Sequence, residues 1–158
     1  MPLPPIFVQT IMPSHQRYAT VGDWINPSHP SGAAQIKVSD TGNPDYNFLL
    51  AFHELVEWYL CYRAGITQEE VDAFDQEWER HHVSAVSEPG DDPAAPYHRQ
   101  HEFASVVERA LAHHMGVNWN DYEDALNRAY QKTKRALKRI SETERKASYH
   151  ATGPGEDS

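Results

Sequence analysis

The sequence predicts an α+β domain, with a small N-terminal antiparallel sheet packed on a mainly helical body of about four helices. Three observations predict it. Short β-branched and aromatic runs broken by Pro and Gly are confined to the first 42 residues. From Asn43 onward, apolar residues recur at three- and four-residue steps. Helix start and stop signals bracket most of those periodic stretches. At 158 residues the chain suits one domain, burying roughly two-thirds of the surface its unfolded form exposes. We expect that domain to span residues 1–147, and the Gly/Pro/acid-rich residues 148–158 to form a flexible C-terminal tail.

The strand signals are residues 6–11 (IFVQTI), 18–21 (YATV) leading into Gly22-Asp23-Trp24, and 35–39 (QIKVS). Asn43 and Pro44 then open a helix and Gly65 stops it. Within that helix, residues 48–61 (FLLAFHELVEWYLC) are apolar except at His53, Glu54 and Glu57, so the helix is apolar nearly all round and should be buried. Thr67-Gln68-Glu69-Glu70 is a capping-box pattern for a second helix reaching about His82, with Val71, Phe74 and Trp78 inward. Residues 83–96 form a Pro/Gly/Asp-rich connection, long enough that such a loop is usually functional or disordered. A third helix from about Tyr97 to Met115 has the apolar stripe Phe103, Val106, Val107, Ala110, Leu111 and Met115, with Gly116 as its stop. Asn118 or Asn120 caps a fourth, whose stripe is Tyr122, Leu126, Ala129, Thr133, Leu137 and Ile140 and whose basic side faces water.

Charge and cysteine usage narrow the function classes. The lone Cys61 excludes an internal disulfide, suits a reducing compartment and reads as a small core residue. No stretch nears the ~20 apolar residues of a membrane span, and the N-terminus lacks the basic region of a signal peptide, so we expect a soluble, cytoplasmic protein without a membrane partner. Net charge is −9, and residues 1–127 hold six basic against nineteen acidic side chains. Such a body repels nucleic acid and suits a cation. Nothing in the pattern sets the substrate or the oligomeric state.

The polar line on the first helix carries the chemistry. His53 and Glu57 are four residues apart, hence one turn above each other on one face. Buried, they need partners, which means either a hydrogen-bond network or a metal. Zinc and similar ions take imidazole nitrogen and carboxylate oxygen, commonly from three protein ligands with one position open. His101, from the cluster His98-x-x-His101-Glu102 at the start of the third helix, is the first choice for the third ligand. Glu108 lies seven residues on, on the same side, as a fourth ligand or as an acceptor behind one. His81-His82 and His113-His114 read as solvated helix ends, and Asp91-Asp92 as a turn before Pro93 or a cation-facing pair.

Residues 52–57 (FHELVE) resemble the active-site helix of zincin-type metallohydrolases and metallopeptidases, whose motif is His-Glu-x-x-His and which a small sheet precedes. The resemblance implies a zincin-like fold, His53 and Glu57 as ligands and Glu54 as the general base on metal-bound water. Glu57 stands where that family has His, a change that admits manganese or iron beside zinc. The implied function is a metal-dependent hydrolase attacking an amide or similar electrophile, with Tyr97 or Tyr59 assisting the oxyanion. Gly22-Asp23-Trp24, residues 53–61, 71–75 and 88–93, and Pro96-Tyr97 with His101 together resemble a group of bacteriophage and prophage proteins, which implies a host-cytoplasmic location and no particular activity. Two alternatives stand beside the hydrolase. One is a non-catalytic phage protein in which the same residues hold a structural ion or a core polar network. The other follows from Glu54-x-x-Glu57 and Glu69-x-x-Asp72, which resemble the paired carboxylates of MazG-related, magnesium-dependent nucleotide pyrophosphatases.

Overall fold

A computed structural model of the chain describes residues 2–82 and 87–151, with side chains to residue 144. Three strands, β1 (Ile6–Ile11), β2 (Gly22–Ile25) and β3 (Ala34–Ser39), are followed by α1 (Pro44–Ala64), α2 (Gln68–His81), α3 (His98–His114) and α4 (Trp119–Ala151). This is an α+β fold with a small sheet and a mainly helical body. The expected tail begins inside α4, whose backbone is helical to Ala151; residues 152–158 and 83–86 lie outside the described residues.

The sheet is mixed, where the sequence suggests an antiparallel one. Its order is β1-β3-β2, with β3 antiparallel to β2 but parallel to β1. The reason lies in the strand compositions. β3 buries Ala34, Ile36 and Val38 almost completely and so takes the central position. β1 is largely exposed and stands at an edge, where its direction is set by the crossover through residues 12–21. The second strand begins at Gly22, later than the Tyr18 start that the β-propensity of residues 18–21 suggests. Arg17 bridges Asp23 at 2.8 Å and Asp72 at 2.9 Å, tying β2 to α2 just beside Trp24.

The helix ends follow their local chemistry. The Asn43 side chain accepts from the Asp45 and Tyr46 amides, Pro44 occupies the first turn where its missing N–H costs nothing, and Gly65 closes α1 at φ +71°, a conformation that a side chain would strain. Thr67 and Glu70 form the reciprocal capping box of α2. Asn118 caps α4 through the Asp121 amide. The main core gathers Trp24, Ile36 and Val38 from the sheet with Leu50, Trp58 and Cys61 of α1. A second cluster joins Leu49, Ala112 and Tyr122.

α1 is not buried all round: Phe48 and Tyr59 are exposed. α3 departs further from expectation. Its buried residues are His101, Ala104, Glu108 and Ala112, whereas Phe103 and Val106 of the expected stripe are 53% and 66% exposed. The small alanines let α3 approach α1 closely, and the space between the helices is taken by polar side chains rather than by the larger apolar ones. On α4, Tyr122, Ala129 and Thr133 face inward as expected, but Ile140 is exposed. Among the described residues no helix is long and apolar enough to cross a membrane.

Candidate metal centre

Helical spacing brings His53 and Glu57 onto the face of α1 that meets α3, and both are about 95% buried, with relative exposures of 4% and 5%. His101 and Glu108, two turns apart on α3, come from the opposite side with similar burial. The four expected residues therefore converge. His101 Nδ1 lies 2.8 Å from Glu57 Oε2 and 3.3 Å from His53 Nε2, and His53 Nε2 lies 3.4 Å from Glu57 Oε2.

The outer partners decide what those three atoms present. His53 Nδ1 is 2.8 Å from Glu108 Oε2, and an ionised carboxylate only accepts, so Nδ1 carries the proton and Nε2 presents a lone pair. His101 Nε2 is 3.2 Å from Asp91 Oδ1 and 3.4 Å from Glu88 Oε2, so by the same reasoning its Nδ1 presents a lone pair. The Trp24 indole N–H donates to Glu57 Oε1 at 2.9 Å and leaves Oε2 facing the two rings. Tyr122 O–H donates to Glu108 Oε1 and fixes that carboxylate in turn. Three electron-rich atoms thus point at one another, an arrangement that needs a cation between them, either an added proton on one ring or a metal ion. Tetrahedral bonds of 2.0–2.2 Å hold their donor atoms about 3.3–3.6 Å apart. The observed edges of 2.8–3.4 Å are those of such a triangle drawn slightly inward.

The electrostatics have the same sign. Burial opposes ionisation of Glu57, yet the hydrogen bonds that His101 and His53 donate once a ring carries the added proton override it and hold the carboxyl at about 2. Burial likewise opposes a charged His53, but Glu108 and Glu57 raise its pKa well above the ordinary value. At His101 the burial penalty is outweighed by Asp91 and Glu57, which raise it to about 10. The pocket stabilises positive charge wherever it can be placed.

Glu54 is different. Burial, then the Glu57 charge, push its pKa well above the ordinary carboxyl value, against a smaller opposing effect of His53. Among the described residues no hydrogen bond engages its carboxylate, which lies against the backbone of Gly22: a Cβ placed there would come within 2.3 Å of Glu54 Oε1. Glu54 is thus the one acid of the α1 motif left without a fixed partner.

Other expected participants are engaged elsewhere. Tyr97 does not offer a free hydroxyl to an oxyanion, because its O–H donates to Asp75 Oδ1 at 2.6 Å, and Tyr59 is 41% exposed. The Glu69/Asp72 pair is not assembled with Glu54 and Glu57 into a single carboxylate site: Asp72 is bound by Arg17, and Glu69 lines a groove of about 570 Å³ at the C-terminal end of α1 that includes none of the cluster. His98 Nδ1 donates to the Gly90 carbonyl at 2.8 Å, and the ring stays outside the cluster. His81 contacts Glu77, and His82 stacks on Trp78. Cys61 is a buried core residue.

Sequence reasoning named Glu88 only in a resemblance, Trp24 there and beside a strand signal, and Tyr122 only in an apolar stripe, assigned none of them to the site, and left Asp91 undecided between a turn and a cation-facing role. Asp91 does both, accepting the Glu88 amide and facing His101. Glu88 offers a carboxylate oxygen that, with one donor atom each from His53 and His101, forms a set lying within 4.8 Å of one another. That set and the triangle closed by Glu57, whose edges do not exceed 3.4 Å, share both histidines. The Glu-Pro-Gly-Asp-Asp composition of the loop, a tight acidic turn next to a histidine-bearing helix start, is the signal that could have found it. No family model, curated protein or solved structure matches the chain.

Proposed function

We propose that this protein is a metal-dependent hydrolase in which His53, Glu57 and His101 hold one divalent ion, zinc in the first instance and manganese or iron as alternatives. The observation that carries the reading is the convergence of two imidazole lone pairs, whose opposite ring nitrogens are each tied to a carboxylate, with an oxygen of Glu57. Glu57 adds a hard oxygen to two imidazoles, a donor set suited to all three metals. When bound, such an ion lowers the pKa of water and polarises a carbonyl. The rest falls to side chains of the chain. Glu108 and Asp91 keep the two rings in the tautomers that present lone pairs, and Trp24 keeps Glu57 turned the same way. Glu54, unpaired and with a raised pKa, accepts the proton of the attacking water and returns it to the leaving group.

A second reading is favoured by one observation, the near-complete burial of His53, Glu57 and His101. Under it the ion is structural and the protein non-catalytic. Metal analysis of protein purified without added metal tests what the two share: about one equivalent of transition metal is expected, and less than about a tenth refutes both. Glu54→Gln separates them. In the hydrolase the variant keeps its metal and fold but loses roughly 10²–10⁴-fold of its activity on amide and ester substrates. A wild type that carries the metal and hydrolyses nothing in such a panel assigns the structural role.

A further inference from the structure

We propose that Glu88 is an exchangeable fourth ligand that closes the metal centre at rest and is displaced when water or substrate takes its place. The proposal rests on the metal reading above and concerns the position that His53, Glu57 and His101 leave open. Three observations support it. First, a Glu88 carboxylate oxygen stands within 4.8 Å of ligand atoms of both histidines. It is 3.4 Å from His101 Nε2, so turning its side chain exchanges a contact with the outer edge of His101 for one with the ion on the inner edge.

Second, the backbone that carries it is anchored to the ligand it would join. The turn Pro89–Asp91 begins at Glu88, whose amide donates to Asp91 Oδ2 at 3.0 Å, while Asp91 Oδ1 faces His101 Nε2 and the Gly90 carbonyl accepts from His98. Gly90 is buried against the imidazole, and a Cβ there would fall 2.3 Å from His101 Cγ. Only glycine allows the turn so close, and that approach holds Glu88 beside His101. Third, exposure differs sharply within the group. The Glu88 side chain is 50% exposed, whereas those of His53, Glu57 and His101 are 5–7% exposed. Glu88 is therefore the member of the cluster that can leave without unpacking α1 from α3, and it is the one in contact with solvent.

Cobalt(II) titration of wild type, Glu88→Ala and Glu88→Gln, followed by visible absorption and then by addition of acetohydroxamate, tests this. Glu88 is at the surface and its replacement should leave the far-UV circular dichroism unchanged. If Glu88 ligates, Glu88→Ala shifts the ligand-field bands, weakens cobalt by about 10–100-fold and binds acetohydroxamate at least about tenfold more tightly than wild type. Glu88→Gln should follow Ala in the spectrum. Cobalt uptake with the same bands, the same affinity and the same hydroxamate binding in all three proteins overturns the proposal and leaves the three-ligand centre standing. No cobalt uptake by the wild type overturns the centre itself.

Discussion

Glu108→Gln gives the most direct measure of whether the α3 carboxylates orient the ligands. In the wild type Glu108 accepts from His53 Nδ1 at 2.8 Å through one oxygen and from Tyr122 O–H through the other. Glutamine is isosteric: its carbonyl can keep the His53 bond, and Tyr122 can rotate its hydroxyl to accept from the amide. What is lost is the charge. A hydrogen bond to a charged group contributes about 1.5–3 kcal/mol and a neutral one about 0.5–1.5, so the exchange removes roughly 1–1.5 kcal/mol of orientation. Through His53 that becomes about a tenfold weakening of metal affinity. Competition against a chromophoric chelator reads it directly. Glu108→Ala should weaken the metal further and also destabilise the metal-free fold by about 1–3 kcal/mol, because it leaves the Tyr122 hydroxyl buried without its acceptor. An unchanged affinity in Glu108→Gln would mean that the charge of Glu108 adds nothing to the orientation of His53, and an affinity unchanged in Glu108→Ala as well would mean that His53 is held by packing alone and would end the tautomer argument for the centre.

Two further outcomes follow from single contacts. Gly22→Ala would place a methyl group 2.3, 2.6 and 2.7 Å from Glu54 Oε1, Cδ and Cγ, so the Glu54 side chain must turn aside from its Cγ outward; in variant protein that folds, metal content should stay at the wild-type level while hydrolysis falls towards that of Glu54→Gln, and retained activity would free Glu54 of its assigned role. Asp75, buried and pushed up to about 7 by that burial despite hydrogen bonds from Tyr97 and Tyr18, binds its proton more tightly folded than unfolded. Its contribution to stability is therefore fully present below about pH 4 and is lost as pH rises towards 7. Asp75→Asn, which can still bond both tyrosines, should gain on the wild type by up to about 4 kcal/mol between pH 4 and pH 8 in urea denaturation; a stability difference independent of pH would show that Asp75 is ionised throughout.

What was legible in the sequence is what local rules determine. The i,i+4 relation of His53 and Glu57 is fixed once residues 44–64 are helical, and that helix announces itself through Asn43, Pro44 and Gly65. His101 was legible because a buried ligand pair needs a third donor and His101 stood in a histidine cluster at the start of the third helix. The parallel pairing of β1 with β3 was not, since it depends on which strand takes the centre of the sheet, a competition decided by burial across three segments. Glu88 was invisible for a related reason. Its placement depends on a turn packed on an imidazole, and no periodicity records such a contact.

The misread face of α3 follows from how the centre is built. Pattern reading assigns the largest apolar residues to the interior, and here Phe103 and Val106 are outside while His101, Ala104, Glu108 and Ala112 are inside. A helix that buries two titratable side chains in place of two large apolar ones forgoes roughly 1.5–3 kcal/mol for each apolar side chain left exposed and also bears the desolvation of the polar pair. Packing alone would favour the opposite rotation of α3. The inward row of a ligand, a small residue, a carboxylate and a small residue is explained if the energy of a bound cation offsets that loss. It follows that the metal-free protein should be the less stable form. Binding at a free concentration a hundred times the dissociation constant adds about 2.7 kcal/mol, which for a chain of this length raises the melting temperature by roughly 5–11 °C. A melting temperature indifferent to zinc, manganese and iron would leave the orientation of α3 without this explanation.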